Sequence, residues 1–374
     1  MWRQILVTGA TGALGTPLVA ALLRARCAER IGLLIRDGAA TAEDRFCRLV
    51  ASLEELRLPI RPLFLLAGDL SDVGRLGAAL CHDAEVIVHA AADTNFRSPP
   101  ALQDRVNVGG TQALIDWARC RQRLSHLVLV STTCVAGRRV GKIAETAAAN
   151  PPDFVNHYER TKWHAEGIAL RSGLPTRLVR LSTCAGSEED GAVGRYGALH
   201  HSLHWLYRGL VPIVPGSPST PIDFVSTNAA VAFLARAVNE PFSGSETFHV
   251  AAGSRAVPLE ELLDFLATRF AKTHAGWRRE QVTRSVIVGA EAFAAFRRSV
   301  EQSRDMVLGQ VMAATDAFLP ALLYPKTYET RNAEKFWGGP LPLPDWRQLI
   351  ERVVENCLQN NWGRPLSREL QHVG

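Results

Sequence analysis

The amino-acid sequence predicts an α/β protein built on a doubly wound parallel sheet, followed by a smaller, mixed and mostly helical C-terminal portion. Three observations carry this reading. Short β-rich apolar runs alternate with stretches of helical periodicity, glycines recur every third residue between the first run and the first helix, and this rhythm changes after about Gly186. The apolar runs at 4–8, 31–35, 62–67, 86–89, 127–131 and 176–180 are the predicted strands; 17–26, 109–121 and 156–171 are predicted helices between them. Strands that are apolar throughout need cover on both faces, which parallel crossovers supply.

Beyond Gly186 the polar, turn-rich pieces GSEEDGAVG and VPGSPSTP flank a predicted helix over 197–208. Residues 248–251 are expected to rejoin the sheet. An amphipathic helix over 258–272 opens on Glu260 and Glu261, two acids suited to the positive end of a helix dipole. The apolar pattern over 290–318 reads as one long packed helix.

Composition narrows the function classes. With 374 residues, 47% hydrophobic and 21% charged, the chain can bury a substantial core. Its net charge of +5 comes from scattered arginines and lysines rather than a basic block, so no nucleic-acid partner is expected. No run reaches the roughly 18 apolar residues of a membrane span, and no signal region precedes the first strand. Seven cysteines, at 27, 47, 81, 120, 134, 184 and 357, form no CxxC pair and read as reduced, mostly buried thiols of a cytoplasmic enzyme. His200, His201 and His204 have no acidic or cysteine partner beside them, so no metal site is expected; they would line a cleft mouth or simply sit on a helix.

The turn Thr8-Gly-Ala-Thr-Gly-Ala-Leu-Gly15 places glycines where a phosphate cradle needs them. Gly9 permits the tight turn, Gly12 lets backbone N–H groups approach a pyrophosphate, and Gly15 lets helix and sheet pack closely. Thr11, Ala13 and Leu14 complete the cradle. Residues 1–185 are therefore read as a dinucleotide-binding Rossmann core and 186–374 as a substrate-binding portion, from which about 220–255 returns to the core. Arg36 ends the second predicted strand, where a guanidinium accommodates a ribose 2′-phosphate, so NADP(H) is the expected cofactor; Asp37 follows it. Asp69 and Leu70 of the GDL turn are expected beside the adenine.

Tyr158 and Lys162 lie four residues apart on one predicted helix, so a phenol and an ammonium share a face. A phenol of pKa about 10 donates a proton well, and a nearby ammonium favours its phenolate. Upstream, LVLVSTTCVAG ends a strand at the carboxyl edge of the sheet. Strand alternation lets only some of its hydroxyls face a cleft, and Thr132 is chosen over Ser131 and Thr133.

Over residues 4–255, TGATGALG, GDL, VIVHAAADTNF, NVGGT, LVSTTCVAG and YERTK occur in an order that resembles the extended short-chain dehydrogenase/reductases. LLIRD, YERTKWHAE and RGLVPIVPGSPSTPIDFVSTN are most similar to the thioester-reductase and fatty-acyl reductase branch, and YETRNAEKFWGG resembles the closing segment of thioester reductases. The resemblance implies a catalytic Thr132, Tyr158 and Lys162, with Asn107 beside the active-site helix. It puts Ala90, Ala91, Asn107 and Ser131 along the cofactor, with Leu181 and Thr183 near the nicotinamide, where this chain departs from the family in lacking a proline. It implies reduction of an acyl thioester, carried on a carrier protein or coenzyme A, to an aldehyde or alcohol. A ketone/alcohol or nucleotide-sugar oxidoreductase, and a non-enzymatic NADP sensor, are the alternatives.

Overall fold

Seven strands hydrogen-bond side by side: β1 (Trp2–Thr8), β2 (Ala28–Ile35), β3 (Leu63–Ala67), β4 (Val86–His89), β5 (His126–Thr132), β6 (Thr176–Leu181) and β7 (Ser245–Val250). Their order is β7-β6-β5-β4-β1-β2-β3 and every pairing is parallel. The order reverses between β1 and β4, which opens a crevice beyond the carboxyl ends of those strands. Ile5, Val7, Leu33, Ile87, Val88, Leu127, Leu129 and Leu178 are all fully buried, which explains why the strands read as continuous apolar runs. The structure is a computed structural model that describes residues 1–70, 84–147, 150–273, 284–303, 305–315 and 319–363.

The chain divides into two units, the first made of Met1–Cys184, Thr227–Ser254 and Lys326–Pro342. Helices α1 (Gly15–Arg24), α2 (Ala42–Glu55), α3 (Gly110–Arg119), α4 (His157–Leu170) and α5 (Thr227–Asn239) belong to it. Side chains set the starts of α2 and α4. Thr41 Oγ1 accepts the Asp44 N–H at 3.1 Å and Asp37 Oδ1 accepts that of Ala42 at 2.8 Å, so two side chains hold the first turn of α2. On α4, Asn156 Oδ1 accepts the Glu159 N–H at 3.0 Å, while Glu159 reaches back to the Val155 N–H at 2.8 Å. A short strand, Lys326–Tyr328, pairs parallel with Gly141–Ile143, and the buried Glu145 accepts the N–H groups of His249 and Ala333 at 2.8 and 3.0 Å.

The second unit comprises Ala185–Ser226, Arg255–Pro325 and Leu343–Gly374. Phe270 and Leu266 of the helix Leu259–Thr273 pack with Leu349, Ile350, Val353 and Val354 of the helix Trp346–Gln359. The single helix expected over 290–318 is instead two, Ala290–Ser303 and Met306–Thr315. Asp305 causes the break: its Oδ1 accepts the N–H groups of Val307 and Leu308, both at 2.9 Å, which makes it the cap of a new helix. Residues 316–318 of that expectation lie outside the described residues. Among the described residues no helix is long and apolar enough to cross a membrane.

A methyl group on Gly15 would sit 2.0 Å from the Gly9 carbonyl oxygen. Gly15→Ala is therefore expected to lower stability by about 1–3 kcal/mol, the usual range for overpacking. Urea unfolding checks this; an unchanged midpoint would show that the turn is not packed as described.

Candidate active site

The cradle is formed where β1 hands over to α1. Gly9 has φ +74°, and a Cβ there would lie 2.6 Å from the Ala91 nitrogen, so the turn runs directly against the segment leaving β4. The Gly12 N–H closes the turn on the Gly9 carbonyl at 3.0 Å, and Gly12 and Ala13 are exposed. No side chain caps α1 at Leu14. The start of that helix is thus an open, positively polarised end, the form in which helices receive phosphate groups.

Arg36 is exposed at the end of β2, and a second guanidinium that sequence reasoning missed lies beside it. Arg45 donates from α2 to Thr11 Oγ1 at 2.5 Å and to the Arg36 carbonyl at 2.6 Å, linking the glycine turn to the end of β2. The signal was present in Thr41-Ala-Glu-Asp-Arg45, where the capping threonine puts the arginine one turn inside a helix. Asp37, the acid next to Arg36, is engaged by α2. Leu70 is buried with Ile87 and Leu114, so its side chain packs the core below the crevice; Asp69 beside it is partly buried.

A chain of hydrogen bonds joins this cradle to the helix of Tyr158. Thr8 Oγ1 meets His89 Nδ1 at 2.8 Å and accepts the Ala91 N–H at 3.2 Å, while the Ala90 N–H donates to the Thr8 carbonyl at 3.3 Å. His89 Nε2 meets Thr111 Oγ1 at 3.0 Å, and that hydroxyl donates to the Asn107 carbonyl at 2.6 Å. Because Thr111 spends its proton on Asn107, the histidine must donate to it, which assigns the proton to Nε2. Asn107 lies in a π-turn, Asp104–Gly109, a local widening common at functional sites. Its amide accepts the Asp93 N–H at 2.7 Å and donates to Thr161 Oγ1 at 2.9 Å; Thr161 in turn donates to the Tyr158 carbonyl at 2.8 Å.

The end of β5 meets α4. Lys162 Nζ donates to the Val130 carbonyl at 2.9 Å, Ser131 Oγ donates to Glu166 Oε1 at 2.6 Å, and the Thr132 hydroxyl, which accepts the Cys134 N–H at 3.2 Å, lies beside the Tyr158 phenol. Alternation along the strand thus separates the hydroxyls: Thr132 faces the phenol, whereas Ser131 turns to Glu166 and Thr133 is buried. Leu181 pairs in register with Thr132 and is buried; Thr183 is exposed. Phe96 stands 5.2 Å from Tyr158, centroid to centroid.

Burial governs the protonation states here. It raises the Tyr158 phenol well above its ordinary value, helped by Cys134, Glu159 and Cys184 and opposed by Thr132. Tyr158 is held as the protonated phenol. Burial lowers Lys162 to about 8 against the opposing charge of Glu166, and raises the Cys134 and Cys184 thiols to about 11 and about 12, leaving them inert. Among the described six cysteines, Cys27 and Cys357 are buried, Cys134 and Cys184 are partly exposed residues whose thiols lie inside, and Cys47 and Cys120 are exposed.

His200 and His204 of the second unit take packing roles, while His201 is exposed. His200 Nε2 bonds the Ala185 carbonyl at 2.8 Å, and His204 stacks 5.0 Å from Trp362. Among the described residues, no three His, Cys, Asp or Glu side chains are grouped to hold a metal ion.

A seven-stranded parallel sheet with a glycine turn at its crevice and a Tyr-x-x-x-Lys helix beside it defines an extended short-chain dehydrogenase/reductase, an NAD(P)-dependent oxidoreductase class. The NAD-binding family described as Male sterility protein matches residues 7–234, more than half of the chain, and the chain belongs to it. It is 29% identical over 270 residues to the glycine betaine reductase of Emericella nidulans, covering 66% of this chain and 21% of that protein. It is 30% identical over 277 residues to a polyketide synthase-nonribosomal peptide synthetase of Pyricularia oryzae, covering 70% of this chain but 7% of that protein. The chain thus spans well under two thirds of either relative. Its fold is that of the terminal R domain from the myxalamid PKS-NRPS biosynthetic pathway, with a TM-score of 0.77, 23% identity and coverage of 96% and 92% of the two chains. Within its class the chain is most like the thioester-reductase and fatty-acyl reductase branch.

Three buried histidines make an acid-stability prediction. Burial lowers His89 to about 3, His126 to about 4 and His249 to about 3. Below pH 6.5 the unfolded chain takes up protons that these rings refuse, so stability present above 6.5 is lost as pH falls through the folded values. Glu159, raised by burial to about 7, acts in the opposite sense, losing stability as pH rises from 4.5 toward 7. Histidine uptake dominates between pH 4.5 and 6.5. His126→Gln should reduce the slope of unfolding free energy there by about 1.4 kcal/mol per pH unit, one proton's worth, in urea titrations at several pH values; an unaltered slope would mean that His126 titrates normally.

Proposed function

We propose that this protein reduces an acyl thioester with NADPH, using Tyr158 as proton donor, Thr132 as a second hydrogen-bond donor to the substrate oxygen, and Lys162 as the cation that orients the nicotinamide ribose. The observation that carries this reading is the meeting of the three groups at the end of β5, with the phenol held in its protonated form. The glycine turn, the uncapped start of α1, Ala90 and Ala91 suit a dinucleotide, and Arg36 with Arg45 suits a 2′-phosphate. When bound, the nicotinamide supplies a hydride.

The chain's own groups supply the rest. As negative charge develops on the carbonyl oxygen, Tyr158 transfers its proton there and Thr132 donates a hydrogen bond, in surroundings poor enough in water to make both effective. Reduction and protonation convert the thioester to a hemithioacetal; its collapse breaks the carbon–sulfur bond and yields an aldehyde and a free thiol. The likeness to a reductase and to a synthetase that assembles polyketides and peptides supports a tethered acyl substrate, on a carrier protein or coenzyme A.

Thiol release measured against NADPH oxidation tests the substrate: one thiol per one or two NADPH is expected, and NADPH loss on a ketone without activity on any thioester would select the ketone reductase. Tyr158→Phe should leave NADPH affinity nearly unchanged and lower turnover roughly a hundredfold; full activity in that variant would assign the proton to another group. NADPH should bind more tightly than NADH, and Arg36→Asp or Arg45→Ala should each weaken NADPH by roughly tenfold or more while sparing NADH, as loss of a charge-assisted contact of about 1.5–3 kcal/mol requires. Equal weakening of both cofactors would show that the arginines serve only the fold.

A further inference from the structure

Behind the three candidate catalytic groups lies a buried ionic knot. Arg180 of β6 donates from Nε and Nη2 to the two carboxylate oxygens of Glu166, at 3.0 and 2.8 Å, and Ser131 Oγ donates to the same carboxylate at 2.6 Å. The side chains of Arg180 and Glu166 are 3% and 4% exposed. A buried ion pair is a poor source of stability, because desolvating two charges offsets much of their attraction and apolar substitutes often do as well. Its position points to another use. Tyr158, Lys162 and Glu166 are spaced i, i+4 and i+8 along one face of α4, and they engage Thr132, Val130 and Ser131, three consecutive residues of β5.

We propose that Glu166 is a positioning residue for Lys162: clamped by Arg180 and Ser131, it fixes α4 against the end of β5 and provides the counter-charge that keeps the buried ammonium protonated. The inference rests on the reading of Lys162 as the cation that holds the cofactor. The groups bearing on Lys162 are Glu166 on its own helix and His89 from β4, and Arg180 from β6 bears on Glu166. His89 is neutral above acid pH, so of these groups Glu166 supplies the negative charge. In support, burial depresses Lys162 and the charge of Glu166 opposes that depression.

Glu166→Gln keeps the size and an acceptor for Ser131 while removing the charge. NADPH affinity is measured by fluorescence from pH 6 to 10 in the unaltered protein and the variant, alongside the urea midpoint at pH 6. In the unaltered protein affinity falls as Lys162 loses its proton; in the variant the midpoint of that fall moves down by roughly one pH unit, the scale of effect for a nearby opposite charge, with affinity at pH 6 little changed. Glu166→Asp, which restores the charge, returns the midpoint. A purely structural role would weaken binding equally at every pH and leave the midpoint in place, and that result overturns the inference. If Glu166→Gln does not fold, Arg180→Gln replaces it: removing the competing cation should move the midpoint upward, and an unmoved or lowered midpoint overturns the proposal. An unaltered protein that binds no nicotinamide cofactor at any pH overturns the cofactor reading as well, whereas cofactor binding with an unmoved midpoint removes this inference alone.

Discussion

Helix α4 lies across the carboxyl end of β5, and three side chains one helical turn apart hold it there. Lys162 takes the Val130 carbonyl, Glu166 receives the Ser131 hydroxyl, and Tyr158 meets the Thr132 hydroxyl. These contacts set both the roll of the helix and its height along the strand, since a slip of one residue on either element would break all three. The same packing excludes water from the phenol and the ammonium. It therefore fixes their geometry and their protonation together, keeping a phenol ready to donate beside a cation whose charge needs support.

This arrangement is tied to the phosphate cradle by a continuous relay. From Thr8 at the end of β1 it passes through His89, Thr111 and Asn107, and then through Thr161 to the backbone of Tyr158. The relay crosses the reversal point of the sheet, so the strand that presents the glycine turn and the helix that presents the phenol are registered to one another. Each buried polar atom in it has a partner, and that satisfaction is what makes a buried network rigid rather than costly. The π-turn around Asn107 serves this purpose: it brings an amide between the loop after β4 and α4.

What was legible in the sequence was the part carried by local pattern. The strands through β6, the turn from Gly9 to Gly15 and the Tyr158–Lys162 spacing follow from apolar periodicity, glycine geometry and helical pitch, all of which act over a few residues. The break at Asp305 was hidden because apolar residues keep helical spacing on both sides of it, and only the capping carboxylate betrays it. Arg45 escaped because its importance depends on α2 folding back toward Thr11, a contact across 34 positions. The knot of Ser131, Glu166 and Arg180 joins two strands and a helix, so no local spacing announces it. The protonation of the phenol was hidden for a related reason: the sequence shows the ammonium one turn away but not the burial that raises the phenol.

In the proposed function, Thr132, Tyr158 and Lys162 serve hydride delivery to a thioester carbonyl. Its most direct test is a single turnover with NADPH deuterated at both C4 positions and an acyl thioester, followed by mass spectrometry of the product. Deuterium is expected on the former carbonyl carbon, one atom in an aldehyde or two in an alcohol, with roughly a hundredfold less labelled product formed by Tyr158→Phe on the same timescale. Product that carries no deuterium at that carbon, or thioester cleaved to a carboxylic acid with the deuterium retained by the cofactor, would contradict it.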